Sequence, residues 1–296
     1  MDLEATIAAY ELKGYRLDMI MPADAPRIAV VSKGSEMLRL TATPTGIQAE
    51  PFTGLNHPVL PASTQEFVIT RASNGAWANG RAGMQYRDLI PSRLGGRYIA
   101  SHIRIPQGGP VNDYVHHHRI RFQMIFVRKG WVRVVYEDQG QPFVMNENDC
   151  VLQPPGIRHR VLEASPGLEV IEIGSPAEHE TFRDHDLELP SSMFPRNRQY
   201  GEQRFVHHEA ASAAWCTTQG VMIEETDVAT ATNGLASVRV MHTTGVVRHS
   251  HNGDFLLLYV LKGRVHLTSE TLNPQTLEPD DCCVLPNGTD YVLTGG

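Results

Sequence analysis

The chain has little cysteine and no excess of positive charge, and both deficits exclude classes of protein. Its 296 residues include four cysteines and carry a formal net charge of −7 at pH 7. Cys282 and Cys283 are adjacent and no two cysteines have Cys-x-x-Cys spacing, so we expect buried thiols rather than a disulfide framework or a cysteine zinc site. A negatively charged chain lacks the basic field that attracts nucleic acid.

Long apolar runs and nucleophile motifs are also missing. No segment approaches the ~20 consecutive apolar residues that a membrane-spanning helix needs. The first 21 residues carry four acidic side chains and have no apolar core of the length that an export signal requires. Gly-x-Ser-x-Gly and phosphate-binding loop motifs are absent. The sequence therefore predicts a cytoplasmic protein without a membrane partner.

Glycine and proline are plentiful, with 25 and 19 residues, which is typical of many short strands joined by turns. A short amphipathic helix is predicted over residues 2–13, followed by strands at 28–31 and 37–43 and a proline-rich loop over 51–64. Further strands are predicted at 98–105, 124–127, 131–136, 150–152 and 168–173. This pattern predicts an all-β fold.

A histidine-rich segment carries the chemistry. His116 and His118 are two residues apart in a predicted strand, so both side chains project from the same face. His159 ends a later Pro-x-Gly-x-x-His segment that can bring its imidazole back beside them. Three imidazoles on rigid strands can bind iron, zinc, copper or nickel.

The full spacing resembles the two sequence motifs of the cupin family. His-x-His is followed by Gln123 and Gly130, and then by Pro-x-Gly-x-x-His. The resemblance implies a small β-barrel with one metal ion held by His116, His118 and His159. Gln123 stands where cupins usually carry a glutamate ligand. It is either a fourth, amide ligand or an interior side chain beside the metal.

The motif recurs later in the chain. His249, His251 and Gly263 follow the equivalent residues of the first copy by 133 positions, and Pro286 and Gly288 follow theirs by 132. A constant offset indicates an internal duplication. The chain therefore resembles a bicupin, with two tandem double-stranded β-helix (jelly-roll) barrels.

The second copy has lost most of the ligands. Leu256 replaces Gln123 and Tyr291 replaces His159. Leucine cannot coordinate a metal, and a phenol with a pKa near ~10 is a poor ligand. We therefore expect His249 and His251 to be structural, and one divalent metal per chain.

These patterns divide the chain into four parts: an N-terminal arm (1–66), a metal-binding barrel (67–175), a linker (176–220) and a degenerate second barrel (221–296). Little sequence follows Tyr291, so the arm strands at 28–31 and 37–43 are predicted to complete the second barrel. Exposed barrel edges also predict a homodimer.

Three imidazoles and an amide are all neutral, so a bound divalent ion keeps its full charge and favours a small, anionic, chelating substrate. Cupin dioxygenases that cleave gentisate-like aromatics or β-diketones are similar, since they use three histidines on Fe(II). The resemblance implies an Fe(II) dioxygenase for an aromatic hydroxy acid or a diketone-like anion, with Zn, Mn, Ni or Cu as other possible metals. Arg104 is a candidate clamp for the substrate, with Tyr98 and His102 on the same strand face.

Two other functions stay open on this evidence. One is a Lewis-acid isomerase or lyase acting on a sugar or keto acid, and the other is a non-catalytic bicupin that binds a small molecule. Metal identity separates the first from the dioxygenase, because oxygen chemistry needs a redox metal whereas Lewis-acid chemistry can use zinc. An oxygen-consumption assay separates the non-catalytic binding protein from the dioxygenase.

Overall fold

The computed structural model describes residues 2–80, 83–192, 195, 197–218, 221–243 and 245–295. Short strands dominate this part of the chain, together with helices α1 (Leu3–Glu11) and α2 (Val228–Ala231) and 3-10 turns at Ala72–Asn74 and Ala210–Ser212. No helix in the described ranges is long and apolar enough to cross a membrane.

The strands of the first half, in chain order, are β1 (Arg16–Met21), β2 (Ile28–Lys33), β3 (Glu36–Thr43), β4 (Gly46–Pro51), β5 (Val68–Thr70), β6 (Ala78–Asn79), β7 (Gln85–Asp88), β8 (Ile99–Ile105), β9 (Gly109–Pro110), β10 (His116–His118), β11 (Phe122–Lys129), β12 (Val132–Tyr136), β13 (Phe143–Met145), β14 (Cys150–Leu152), β15 (His159–Ala164) and β16 (Leu168–Ser175). Those of the second half are β17 (Thr181–Arg183), β18 (Gln199–Tyr200), β19 (Gln203–Arg204), β20 (Val206–His208), β21 (Trp215–Thr218), β22 (Val221–Glu225), β23 (Arg239–Thr243), β24 (Val246–His251), β25 (Leu256–Tyr259), β26 (Val265–Ser269), β27 (Gln275–Leu277), β28 (Cys282–Leu285) and β29 (Thr289–Gly295). The strands predicted from sequence are confirmed, with bounds that differ by at most two residues.

The first barrel consists of two sheets packed face to face. One sheet has the strand order β13-β12-β15-β10-β17, and the other contains β14-β11-β16-β8-β7. The alternating apolar side chains of both sheets meet in one core, which includes Val127, Val134, Met145, Val151 and Leu168. This burial holds the strands that carry the histidines in place.

The second barrel repeats the pairings of the first. The pairs β24·β29, β26·β29 and β25·β28 match β10·β15, β12·β15 and β11·β14. The motif glycines also have the same backbone geometry, with φ of +77° at Gly156 and +79° at Gly288. The Gly156 N–H donates to the carbonyl of His118 at 3.1 Å, and the Gly288 N–H donates to that of His251 at 2.7 Å. The fold is thus an all-β pair of tandem jelly-roll barrels, as the duplication predicted.

The N-terminal arm extends the first barrel, so the prediction that it completes the second barrel is wrong. β1 pairs with β17, placing Met19 opposite Phe182, and β2, β3 and β4 continue the same sheet. Helix α1 packs on this extension through Leu3, which lies in a small core with Leu17 and Ile20. The sequence did not reveal β17, a strand of three residues, as the edge that the arm extends.

The strand that precedes each barrel completes the other barrel. β5 pairs with β28 of the second barrel, and β20 pairs with β14 of the first. Equivalent aspartates anchor this exchange: Asp281 Oδ1 accepts from the Ala72 N–H at 2.8 Å, and Asp149 Oδ1 accepts from the Ala210 N–H at 2.9 Å. Residues 176–220 are therefore more than the predicted linker, because β17 and β20 belong to the first barrel's sheets. Residues 193, 194, 196, 219 and 220 of that segment lie outside the described ranges.

Two strands of the second barrel have an unpaired edge. In the first barrel β16 lies between β11 and β8. Within the described residues, their counterparts β25 and β23 pair only with β28 and β22. The residues of β25 are only half-buried, and Met241 on β23 is 37% exposed.

Candidate metal centre

Strand pairing brings three histidines together inside the first barrel. His116 lies directly opposite His159 across β10 and β15, and His118 follows two residues later on the same face. The ring centroids of His116 and His159 are 4.2 Å apart, and those of His118 lie 5.2 and 5.3 Å from the other two. One ring nitrogen of each histidine lies within 4.8 Å of the other two. Among the described residues no other group of three histidine, cysteine or acidic side chains is this close.

The hydrogen bonds of these rings suit a metal ion. The Nδ1 atoms of His116 and His159 lie 2.8 and 3.1 Å from the carbonyl oxygens of Tyr114 and Ile157, which can only accept. Nδ1 therefore carries the proton in both rings, and the lone pair is on Nε2. His118 Nδ1 has Thr181 Oγ1 as its partner at 2.9 Å. The carbonyl partners fix both the tautomer and the orientation of His116 and His159, as a metal-binding imidazole needs, whereas the Thr181 hydroxyl, which can donate or accept, fixes the orientation of His118.

Tyr136 packs against the cluster. Its ring stacks on His159 with centroids 5.4 Å apart and planes inclined by 22°. Its hydroxyl donates to Gln153 Oε1 at 2.5 Å. Burial raises the pKa of Tyr136 far above its ordinary value, so the phenol stays protonated. Tyr136 and Gln153 thus present a neutral polar pair to the cavity.

Gln123 is buried beside a carboxylate that the motif does not contain. Its Nε2 donates to Glu172 Oε1 at 2.5 Å, and both residues line the same cavity as the histidines. Glu172 comes from β16, which pairs with β11 and places Ile125 opposite Glu172. Because the amide nitrogen is engaged, Oε1 is the atom of Gln123 that can act toward a cation. Whether Gln123 is a ligand stays a prediction.

The cavity at the cluster is small and mainly apolar, with a volume of about 120 Å³. Besides the three clustered histidines, seven polar or charged side chains line it: Asp24, Tyr86, Gln123, Tyr136, Gln153, Glu172 and His179. The apolar lining consists mostly of isoleucine, valine and methionine. No arginine or lysine of the described chain lines it.

Tyr98, His102 and Arg104 lie outside this cavity, so their prediction as substrate contacts is corrected. The cavity takes Ile99, Ile103 and Ile105 from the same segment. Because side chains alternate along a strand, the even-numbered residues of β8 face away from the histidines. Sequence alone could not decide which face was inward.

The three side chains serve the junction between the barrels and its surroundings. The Tyr98 hydroxyl donates to Asp254 Oδ2 at 2.9 Å. The His102 ring lies between Arg87 and Glu169, at 2.9 and 2.8 Å. The guanidinium of Arg104 lies 4.0 Å from the centre of the Trp77 ring.

Sequence reasoning missed several lining residues. Glu172 had a signal, because it follows Leu168 and Val170 at the same face of a predicted strand, where a carboxylate is unexpected. Asp24 and His179 come from loops and had none. In the second barrel, Leu256 and Tyr291 pack in the apolar core.

No family model and no curated protein matches the chain. Solved structures of oxalate decarboxylases do. Bacillus subtilis oxalate decarboxylase at pH 4.6 is 12% identical, with a TM-score of 0.56 over 81% of this chain and 74% of that one. A structure of that enzyme from work on its Mn(II) centres is 11% identical, with a TM-score of 0.57 over 81% and 75%. Lactobacillus farciminis oxalate decarboxylase with formate is 11% identical, with a TM-score of 0.57 over 80% and 85%. At these identities the likeness establishes a two-barrel bicupin fold, without favouring the gentisate type.

Proposed function

From this bicupin fold we propose that the chain is a metal-dependent enzyme, with one divalent ion held by His116, His118 and His159. The observation that carries the proposal is the convergence of three buried imidazoles whose Nδ1 atoms are each engaged elsewhere. Fe(II) is the preferred metal, with Mn(II) next. When bound, such an ion would supply Lewis acidity and redox chemistry toward dioxygen.

The preferred reaction is oxidative cleavage of a small, chelating anion. The neutral imidazoles leave the charge of the metal ion intact. No lysine or arginine lines the described cavity, so the metal ion would be the cation that attracts an anionic substrate there. A dry cavity of ~150 Å³ holds benzene, so one of about 120 Å³ suits a ligand of about the size of benzene or smaller. Volume and apolar lining favour a diketone-like enolate or a short acid over a larger aromatic hydroxy acid.

Glu172 is one of the groups in this cavity that can move a proton. Its carboxylate can accept a proton from a carbon acid or a hydroxyl that enters beside the histidines. Gln123 fixes its orientation through the hydrogen bond from Nε2. Tyr136, whose pKa is raised by burial, keeps its own proton and cannot act as the base. The apolar wall limits water around the reacting atoms.

A lyase is the second candidate, and Glu172 together with the fold neighbours favours it. The neighbours are oxalate decarboxylases, and one was studied for its Mn(II) centres. In such a reaction Glu172 would first accept the proton of the substrate's carboxylic acid group. The carbon–carbon bond then breaks, carbon dioxide leaves, the electron pair of that bond stays on the remaining carbon, and Glu172 returns the proton to this carbon.

Metal loading and oxygen uptake test the proposal. Protein purified without chelators or affinity-tag metal is loaded with Fe(II), Mn(II) or Zn(II) under argon and analysed for metal per chain. Oxygen uptake is then followed with acetylacetone and pyruvate, and carbon dioxide release with oxalate. We expect one metal per chain and oxygen uptake with Fe(II) but not with Zn(II).

Two variants serve as a matched pair. His159→Ala should abolish metal binding, whereas His249→Ala, at the equivalent of His116 in the second barrel, should leave it intact. Metal retained by His159→Ala would contradict the site. Carbon dioxide release with Mn(II) and no oxygen uptake with any probe would replace the dioxygenase with the lyase.

A further inference from the structure

His179 places an unsatisfied acceptor in the cavity. The residue lies between β16 and β17, is 6% exposed and lines the cavity with the metal-site histidines. Its ring centroid lies 5.3 Å from that of His118. Its Nδ1 lies 3.1 Å from the carbonyl oxygen of Pro176, so Nδ1 carries the proton and Nε2 carries the lone pair. The buried Nε2 has no hydrogen-bond partner among the described residues.

Asp24 places a second such acceptor in the same cavity. It comes from the loop between β1 and β2, so the N-terminal arm contributes to the lining. One carboxylate oxygen, Oδ2, accepts from Arg93 Nη2 at 2.7 Å. The other, Oδ1, is buried and has no partner within the described chain. Asp24 and His179 therefore contribute to the lining of the same cavity.

Acceptors without donors define the chemistry of what binds. Buried polar atoms are almost always paired, and an unpaired one is destabilising. Neither Nε2 of this tautomer nor a carboxylate oxygen can donate, so the missing group must be a hydrogen-bond donor. A ketone or ether oxygen cannot satisfy them, whereas an ammonium group can donate to both and a hydroxyl, which has a single proton, can donate to one of them.

We propose that His179 and Asp24 form a subsite that binds a hydrogen-bond donor group of the substrate. The ligand then has two ends: a chelating anion at the three histidines, and either an ammonium group that donates to both His179 Nε2 and Asp24 Oδ1 or a hydroxyl that donates to one of them. This inference rests on the proposed function for the chelating end only. It narrows the substrate class to short acids that carry a second polar group.

Three acids of equal size test the subsite. Glycerate, isoserine and 2-hydroxybutanoate share the same chelating α-hydroxy carboxylate and end in a hydroxyl, an ammonium and a methyl group. Their affinities are measured by calorimetry with Co(II)-loaded protein, and the Co(II) absorption spectrum reports the chelating end separately. We expect glycerate or isoserine to bind at least about tenfold more tightly than 2-hydroxybutanoate. The tighter of the two identifies the donor as hydroxyl or ammonium.

Variants assign the preference to the two residues. His179→Leu should reduce the tenfold preference to nearly onefold while the spectral change with 2-hydroxybutanoate persists. Asp24→Asn should weaken isoserine more than glycerate, because the amide keeps an acceptor but loses the charge. His207→Leu is the control, since His207 Nε2 is also buried without a hydrogen-bond partner among the described residues but lies outside the cavity. It should keep the full preference.

Failure of this proposal is distinguishable from failure of the metal site. Equal binding of the three acids, or a preference that survives His179→Leu, would overturn the subsite. Protein that takes up no Co(II) would overturn the proposed function, and calorimetry on metal-free protein would still show whether the donor preference exists.

Discussion

At the scale of single residues, the first barrel contains a carboxylate on a different strand from the one that the cupin motif uses. Gln123 on β11 supplies an amide, and Glu172 on β16 supplies the charge, joined by a hydrogen bond of 2.5 Å. Glu172 is not part of the group of side chains whose ligand atoms all lie within 4.8 Å of one another. The charged side chain of the Gln123–Glu172 pair thus comes from β16, and the motif position on β11 is neutral.

Exchanging the two side chains tests this arrangement. Gln123→Glu alone places two carboxylates against each other, so we expect the melting temperature to fall more at pH 8 than at pH 5. The double variant with Glu172→Gln restores an amide–carboxylate pair and moves the charge to the motif position. It should recover stability and bind Co(II) more tightly than the parent.

Calorimetry and Co(II) competition with a chelator measure both effects. Equal Co(II) affinity and identical Co(II) spectra for the parent and the double variant would place position 123 outside the coordination sphere.

At the scale of secondary structure elements, the short strand β17 connects the N-terminal arm to the strand that carries two of the histidines. Its three residues pair with β10 on one side and with β1 on the other. Thr181, opposite His118, also provides the oxygen that holds the His118 ring. The arm is thus coupled to the ligand strand rather than to the second barrel.

Removing residues 1–51 should therefore loosen the metal site. We expect Co(II) affinity to fall about tenfold or more, the effect typical of losing a group that orients a metal ligand. Hydrogen exchange should show lost protection in β17 and β10 while β26 to β29 keep theirs.

Thr181→Val isolates one contact within that effect, because it removes the oxygen but leaves the arm in place. A smaller loss of Co(II) affinity is expected with normal exchange in β10. Protection lost chiefly in β26 to β29 on deletion of the arm would instead support its assignment to the second barrel.

At the scale of the whole molecule, the barrels share a polar junction beside an apolar one. Arg87 Nη2 donates to His102 Nδ1 at 2.9 Å and to the Asp280 carbonyl at 3.1 Å, which links the first barrel to the second. His102 Nε2 must then carry the proton that is donated to Glu169 Oε2 at 2.8 Å. The apolar part of the junction includes Phe126, Ile171 and Val284, which come from both barrels.

This junction predicts a pH dependence of stability. The pKa of Glu169 is lowered from its ordinary value of 4.5, chiefly by the hydrogen bond from His102, against the opposing effect of burial. A carboxyl whose pKa is lower in the folded than in the unfolded chain stabilises the fold above its unfolded pKa, and this contribution disappears as pH falls through the folded value. Glu169→Gln should therefore lower the free energy of unfolding by about 1 kcal/mol at pH 7.

Urea unfolding at pH 7 and pH 4 measures the difference in free energy of unfolding between the parent and Glu169→Gln. This difference should be smaller at pH 4. Glu163→Gln is the control, because Glu163 pairs with Arg133 at the surface with both side chains more than a third exposed. It should change stability little at either pH. If Glu169→Gln lowered the free energy of unfolding equally at both pH values, the predicted contribution of Glu169 to the pH dependence would be wrong.

Among the described residues, β23 and β25 each have one edge without a strand partner, and this predicts self-association. Exposed strand edges pair with other strands, so we expect the homodimer that the sequence indicated. Sedimentation equilibrium should give twice the mass of 32.9 kDa. Met241→Lys places a charge on β23 and should shift the equilibrium toward monomer, whereas Leu235→Lys, at an exposed residue outside the strands, should not. A parent protein that sediments as a monomer would contradict the predicted homodimer.

The sequence by itself determined the features that depend on local spacing. Alternation placed His116 and His118 on one face, the offsets of 133 and 132 revealed the duplication, and the motif glycines marked turns that the structure confirms. These features are encoded within a few residues of each other, so they can be recognised without knowing the fold. The all-β class followed from the same local evidence.

Only the tertiary structure decided what lies around the histidines. The inward face of β8, the exchange of β5 and β20, and the pairing of the arm with β17 depend on contacts between distant segments. Asp24 and His179 line one cavity although one precedes the first barrel and the other follows most of it. No local pattern specifies such a contact, because it arises when the packing of two sheets brings their connecting loops to the same place.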